Sequence, residues 1–171
     1  MSHLNHIWSI DHLTPRRLSH PVEMIKYARR LHMPQLLCRA FYEIMRQGAD
    51  FAVQGLSDND NLINLRLQLA LQKEWMSFAS TPPFTSCDLM PTGTAECSPR
   101  GARESHWVAS VLAKNEKYSK DPICALTELR RINWAHHGYC SPCAGRLWEV
   151  LKARRGEWWV ILRTHVGEDL I

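Results

Sequence analysis

Four cysteines form two pairs whose spacing suits a bound metal ion. Cys140 and Cys143 in Cys-Ser-Pro-Cys have the two-residue gap of one half of a tetrahedral zinc site, and a distant pair usually supplies the other half. Cys87 and Cys97 form such a pair, with a wider gap, inside a loop rich in proline and glycine. The sequence therefore predicts one structural Zn²⁺ ion bound by Cys87, Cys97, Cys140 and Cys143. Packed, reduced thiols are the alternative.

The Cys140-Ser-Pro-Cys143 motif is also similar to the redox site of thioredoxin-type enzymes. In such sites a helix N-terminus lowers the pKa of the first thiol and makes it a nucleophile. That fold needs strands before and after the motif, whereas the 28 residues after Cys143 have a helical pattern. A thiol–disulfide oxidoreductase using Cys140, with Cys143 as its resolving partner, is the first alternative function. A strand leading into Cys140 would favour it.

The remaining cysteines and the nearby histidines have simpler interpretations. His136 and His137 could replace Cys97 as a ligand, but adjacent histidines are more typical of a solvated loop. Cys38 and Cys124 lie on apolar helix faces and are predicted to be core residues. The sequence contains no His-x-Glu of a deaminase, no phosphate loop and no Gly-x-Ser-x-Gly. We therefore predict no catalytic residues and no enzyme.

The elements that must position these cysteines have the pattern of helices. Apolar residues recur at helical spacing, proline or aspartate stands where helices begin, and no strand alternation is evident. The prediction is an all-α, irregular domain of about five to six helices with a long Pro/Gly loop. Its parts are a loose lead-in over 1–18 and a single domain over 19–171, comprising a helical hairpin over 19–47, a helix over 58–79, the loop over 80–101 and C-terminal helices over 102–171.

Composition restricts the class of protein but not its chemistry. The chain has 171 residues, 45% of them hydrophobic and 22% charged, as in one folded domain. The longest apolar run, Trp158 to Leu162, is five residues, against about twenty for a membrane-spanning helix. No secretory signal pattern opens the sequence. We expect an intracellular protein, cytoplasmic or nuclear, that does not bind membranes.

The last helix alternates basic residues with tryptophans. Residues 144–163 carry a net charge of +3, and the whole chain carries +4. A basic, aromatic helix could contact phosphates, so a zinc-stabilised nucleic-acid binder is the second alternative. An ordinary solvated helix face explains the same pattern, and nucleic-acid binding is not favoured.

Several landmarks occur in an order found in a known family. The chain resembles the helical region that follows the BTB/POZ domain in many fungal BTB proteins. The resemblance covers roughly residues 20–171 and rests on the helical pair Pro21–Arg46 with its Ala-Phe-Tyr motif, then Trp75, Phe78, Cys87, Cys97, Trp107, the segment 118–126, the segment 134–143 and the Trp-rich end. The strands of a BTB domain are not in this sequence, so dimerisation through that domain is not expected.

This resemblance implies an interaction module rather than an enzyme. It also places cysteines at the same landmarks as the predicted zinc site. In a relative with a BTB domain, the 19–47 hairpin would rest against upstream structure. Here an exposed helical face would favour self-association or an unidentified protein partner.

Overall fold

Helices provide the regular structure of the protein. The computed structural model describes residues 13, 18–48, 53–82, 97–112 and 120–167, and no strand occurs among them. The all-α prediction is confirmed. The α-helices are α1 (Pro21–Arg30), α2 (Pro34–Arg46), α3 (Asp58–Ser80), α4 (Arg100–Leu112), α5 (Pro122–Arg130) and α6 (Ser141–Val166), with a 3₁₀ helix at Trp134–His137 before α6.

Helices α1 and α2 form a hairpin joined by a three-residue turn. Pro21 and Pro34 each open a helix, where a missing N–H costs nothing. The N-cap of α1 is His20, and its side chain makes no capping hydrogen bond. Proline rather than a cap therefore fixes the start of both helices.

Helix α2 is buried on all its sides from Leu36 to Arg46. The helical pattern predicted one apolar face, yet three charged residues are enclosed as well: Arg39 is 2% exposed, Glu43 0% and Arg46 1%. Buried charges are rare unless they are paired. Helix α2 is thus the central helix of the fold, and its charges must be neutralised inside it.

A network of hydrogen bonds neutralises these charges. Oε1 of Glu43 accepts from Nε of Arg39 and from Nη1 of Arg46, each at 2.8 Å. Nε of Arg46 also donates to Oδ2 of Asp121 at 2.8 Å, and the Tyr42 hydroxyl donates to Oδ1 of Asp121 at 2.6 Å. Asp121 is the N-cap of α5, as the Asp-Pro sequence predicted. The network therefore attaches α5 to the central helix.

Large aromatic residues pack α3, α4 and α6 together. The ring of Trp158 lies edge-on to Trp75 and Phe78, with centroids 6.2 and 5.7 Å away. Phe78 meets Trp107 in the same way at 5.3 Å. Edge-to-face contacts of this kind add to the burial of the rings. This cluster holds the beginning of α4 close to α6.

Helix α3 differs in detail from the pattern in the sequence. Proline or aspartate was expected where helices begin, but the N-cap of α3 is Ser57, whose hydroxyl oxygen accepts from the Asp60 backbone N–H at 3.1 Å. Leu62 and Leu69, which share the apolar pattern of this helix, are 43% and 57% exposed. One apolar stripe of α3 therefore faces solvent.

The segments outside the helices are described in part. Within the predicted lead-in, Leu13 is buried, and the backbone N–H of Leu18 donates to Oε2 of Glu43 at 3.2 Å. Helix α4 begins at Arg100, inside the predicted 80–101 loop, and residues 83–96 of that loop lie outside the described residues. Among the helices described, none is both long enough and apolar enough to cross a membrane.

Candidate metal centre

Three of the four predicted ligands converge in the structure. The sulfur atoms of Cys97, Cys140 and Cys143 all lie within 4.8 Å of one another. Cys140 and Cys143 are buried, and Cys97 is half-buried. Tetrahedral zinc at about 2.3 Å from each sulfur requires sulfurs about 3.7 Å apart. The three cysteines can therefore hold a metal ion with small side-chain adjustments.

Helix α6 sets the geometry of the Cys140–Cys143 pair. Cys140 is the N-cap of this helix and Cys143 lies in its first turn, with Pro142 between them. Proline is favoured in this turn because its position needs no N–H donor. The two-residue gap therefore brings both sulfurs to the same end of the helix.

Two hydrogen bonds donated by backbone N–H groups hold Cys97 beside the N-terminus of α6. The N–H of Ser98 donates to the carbonyl oxygen of Gly138 at 2.8 Å, and the N–H of Cys140 donates to Sγ of Cys97 at 3.2 Å. The segment before α4 and the segment before α6 thus lie side by side, and each supplies cysteine ligands for one ion.

Gly138 allows this close approach. Its φ is +80°, and a Cβ added there would lie 2.2 Å from Oγ of Ser98. We predict that Gly138→Ala lowers the free energy of unfolding by more than about 1 kcal/mol, because alanine is strained at this φ and collides with Ser98. Chemical denaturation measures the change. The control Gly156→Ala, inside α6 with open space around its Cβ, should instead raise it by about 0.5–1 kcal/mol. The same change in unfolding free energy for Gly138→Ala and Gly156→Ala would contradict the role assigned to Gly138.

Aromatic side chains pack around Tyr139, the residue before Cys140. Trp134 stacks on Trp107 with centroids 5.7 Å apart and meets Tyr139 edge-on at 5.3 Å. The Tyr139 hydroxyl donates to the backbone oxygen of Arg103 at 3.1 Å. Burial raises the pKa of Tyr139, and the nearby Cys97 and Cys143 add to the rise while the Arg103 cation opposes it. Tyr139, the residue before Cys140, is therefore part of a packed aromatic group with Trp107 and Trp134.

The other candidate ligands were His136, His137 and Cys87. Neither His136 nor His137 belongs to the cysteine group, and Cys97 itself occupies the place that either would have taken. His136 is exposed, and the ring of His137 packs 5.3 Å from that of His106. Cys87, the fourth predicted ligand, lies outside the described residues.

The two remaining cysteines are core residues. Cys38 is fully buried in α2, and Cys124 is 5% exposed in α5. Burial raises the pKa of the Cys124 thiol to about 12, so this thiol stays protonated at neutral pH. Neither cysteine joins the metal-competent group found among the described residues.

Sequence patterns did not identify the residues that lie around the sulfurs. Arg103 carries no motif, and its contacts with Tyr139 arise only when α4 packs beside the segment before α6. Gly138 offered a weak signal, since a glycine two residues before a ligand often serves a tight turn.

The fold and the cysteine cluster define an all-α protein with a candidate three-cysteine metal centre. The chain matches no family model, no curated protein and no solved structure.

Proposed function

We propose that the chain is a non-catalytic protein-interaction module stabilised by a structural Zn²⁺ ion. Cys97, Cys140 and Cys143 bind the ion, and Cys87 is the fourth ligand. One observation carries the zinc assignment: sulfurs from two segments 43 residues apart meet at the N-terminus of α6, where a backbone N–H donates to one of them. The proposal agrees with the resemblance to the post-BTB region of fungal proteins.

The surroundings of the sulfurs support a structural ion rather than a catalytic one. Cys140 is 7% exposed and Cys143 is 8% exposed, and the residue before Cys140, Tyr139, packs edge-on to Trp134. Closed sites with four cysteine ligands are typical of structural zinc, whereas catalytic zinc keeps one position open to solvent or substrate. The ion would connect Cys97, just before α4, to the start of α6.

The oxidoreductase alternative receives less support. A strand should lead into the first cysteine of such an enzyme, whereas the residues before Cys140 form the 3₁₀ helix Trp134–His137 and a turn at Gly138. A third thiol, Cys97, lies beside the pair and suits a metal ion better than a two-cysteine redox couple.

The nucleic-acid alternative is not favoured by the last helix either. Trp148 is 38% exposed, but the guanidinium carbon of Arg130 lies 4.0 Å from its ring centre, and Nζ of Lys152 lies at 5.5 Å. These cations cover ring surface that a nucleobase would need for stacking. Arg154 is also paired with Glu157 at 3.0 Å, which reduces the positive charge of the helix.

Zinc content tests the metal assignment. Elemental analysis of the purified full chain should find one zinc per chain. Cys97→Ser, Cys140→Ser and Cys143→Ser should each remove it, and Cys87→Ser should weaken its retention during dialysis against a chelator. Cys38→Ser is the control and should keep one zinc per chain, because Cys38 lies in the core away from the centre. Wild-type protein without zinc would overturn the assignment.

The interaction surface we propose is the exposed stripe of α3, formed by Leu62, Leu69 and Met76. They are 43%, 57% and 48% exposed and follow one another at seven-residue intervals. This is the spacing with which paired helices bury apolar side chains against each other. A second copy of the chain presents the same stripe, so two copies can pair about a two-fold axis. Self-association through α3 is the expected use of this surface.

We predict that Leu69→Glu weakens this self-association at least about tenfold, because each dimer would bury two charged side chains in place of two leucines. Sedimentation equilibrium over a range of concentrations measures the dissociation constant. The control Ser77→Glu adds the same charge at an exposed position about 100° around the helix from Met76 and should change little. A wild-type chain that stays monomeric throughout would contradict the prediction.

A further inference from the structure

We propose that Arg103 is the counter-ion of the zinc–thiolate centre. Its guanidinium group would neutralise part of the negative charge that the bound cysteines leave on the ion. This inference rests on the proposed function and goes beyond it, because it assigns a role to a residue that binds neither metal nor substrate.

The first observation is that Arg103 is a buried cation with two unsatisfied guanidinium nitrogens. It is 4% exposed, and its Nε and Nη1 atoms have no hydrogen-bond partner among the described residues. The adjacent Glu104 accepts from Nε of Arg100 at 2.7 Å, and no hydrogen bond joins it to Nε or Nη1 of Arg103. Buried guanidinium groups are costly unless an anion compensates them. The fold must therefore have a reason to retain this one.

The second observation is where the guanidinium lies. Its central carbon is 5.9 Å from the ring centre of Tyr139, the residue before Cys140, and the Tyr139 hydroxyl donates to the Arg103 backbone oxygen. The backbone N–H of Arg103 also donates to the carbonyl oxygen of Pro99 at 3.2 Å, two residues after Cys97. Arg103 thus lies between the two segments that carry the sulfurs.

Charge explains why these groups belong together. Without metal the three thiols are neutral when protonated, and no hydrogen bond joins Nε or Nη1 of Arg103 to an anion among the described residues. A Zn²⁺ ion with three thiolates carries a net charge of −1, and with four it carries −2. Metal binding releases the thiol protons and creates the anion that Arg103 lacks. The charge of Arg103 is therefore stabilising when zinc is bound and destabilising when it is not.

This change of sign separates a counter-ion from an ordinary packing residue. Removing the charge while keeping the shape, as in Arg103→Met, should weaken zinc binding about 10- to 100-fold, as loss of groups around metal ligands does. The same substitution should leave the unfolding midpoint of the zinc-free chain unchanged or higher. A residue that served packing alone would lower the midpoint equally with and without zinc.

The experiment uses the full chain in four forms: wild type, Arg103→Met, Arg103→Lys and the control Arg100→Met. Arg100 lies on the same helix, but its side chain is 71% exposed. Competition with a chromophoric chelator gives the zinc affinity, and denaturant titrations in zinc and in EDTA give the two midpoints. We expect weaker zinc binding only in Arg103→Met and substantial recovery in Arg103→Lys, which restores the charge.

Each result bears on a different statement. Zinc binding of wild-type strength in Arg103→Met, or an equal loss of midpoint in zinc and in EDTA, overturns the role of Arg103 and leaves the zinc centre standing. A wild-type chain that binds no zinc overturns the centre itself. If Arg103→Met does not fold, Arg103→Gln replaces it, and the comparison with Arg103→Lys still decides.

Discussion

Cys140→Ser should lower the free energy of unfolding by about 4 kcal/mol when free zinc is present at a thousandfold its dissociation constant. The native state alone brings the sulfurs of Cys97, Cys140 and Cys143 within 4.8 Å of one another, so binding energy is gained only on folding. Serine removes one ligand, while the backbone hydrogen bonds around the centre can remain. Denaturant titration with and without zinc measures the difference.

A chelator supplies the internal control for this experiment. In EDTA the wild type should lose about the same amount, and the two proteins should then unfold at similar denaturant concentrations. Cys143→Ser should behave like Cys140→Ser, and the double variant should be little worse than either, because the first substitution already releases the ion. A loss of the same size in zinc and in EDTA would show that Cys140 matters for packing and not as a ligand.

The helices were predictable because their signals are local. Proline at the start of α1, α2 and α5 and apolar residues at helical spacing depend only on nearby residues. The same reasoning identified Cys140–Cys143 as a pair, since a two-residue gap is a local feature. The meeting of Cys97 with Cys140 was predictable only as a hypothesis, because it depends on how α4 and α6 are brought together.

Burial was harder to predict than helicity. The alternation in α2 indicated one apolar face, but a central helix has no solvent-facing side, so Arg39, Glu43 and Arg46 are enclosed. In α3 the error runs the other way, since Leu62 and Leu69 fit the apolar pattern and are exposed. A helical pattern shows which residues share a face. It does not show how many faces the rest of the fold covers.

The position of Arg103 had no sequence signal at all. It lies in the first turns of a helix among polar residues, where a solvated side chain is the ordinary expectation. Only the packing of α4 beside Trp134 and Tyr139 encloses it. Residues around a metal centre are in general set by tertiary contacts, whereas the ligands themselves follow spacing rules.

The buried charges of α2 lead to the second large expected effect: Glu43→Ala should lower the free energy of unfolding by about 3–5 kcal/mol. Its carboxylate accepts hydrogen bonds from Arg39, Arg46 and the backbone of Leu18, and it is fully buried. Alanine would leave the Arg39 guanidinium, 3% exposed in its side chain, without that anion. Chemical denaturation of both proteins measures the difference.

Two further variants separate charge from shape and burial from pairing. Glu43→Gln keeps the shape and one acceptor oxygen but removes the charge, so a loss close to that of Glu43→Ala assigns the effect to electrostatics. Glu104→Ala breaks a pair with Arg100 whose side chains are 38% and 71% exposed, and it should cost less than about 1 kcal/mol.

Because Arg46 also donates to Asp121, the N-cap of α5, Glu43→Ala should loosen α5 as well, which faster amide hydrogen exchange in Pro122–Arg130 would reveal. A loss from Glu43→Ala no larger than that from Glu104→Ala would show that the buried network contributes nothing to holding α5 on the central helix.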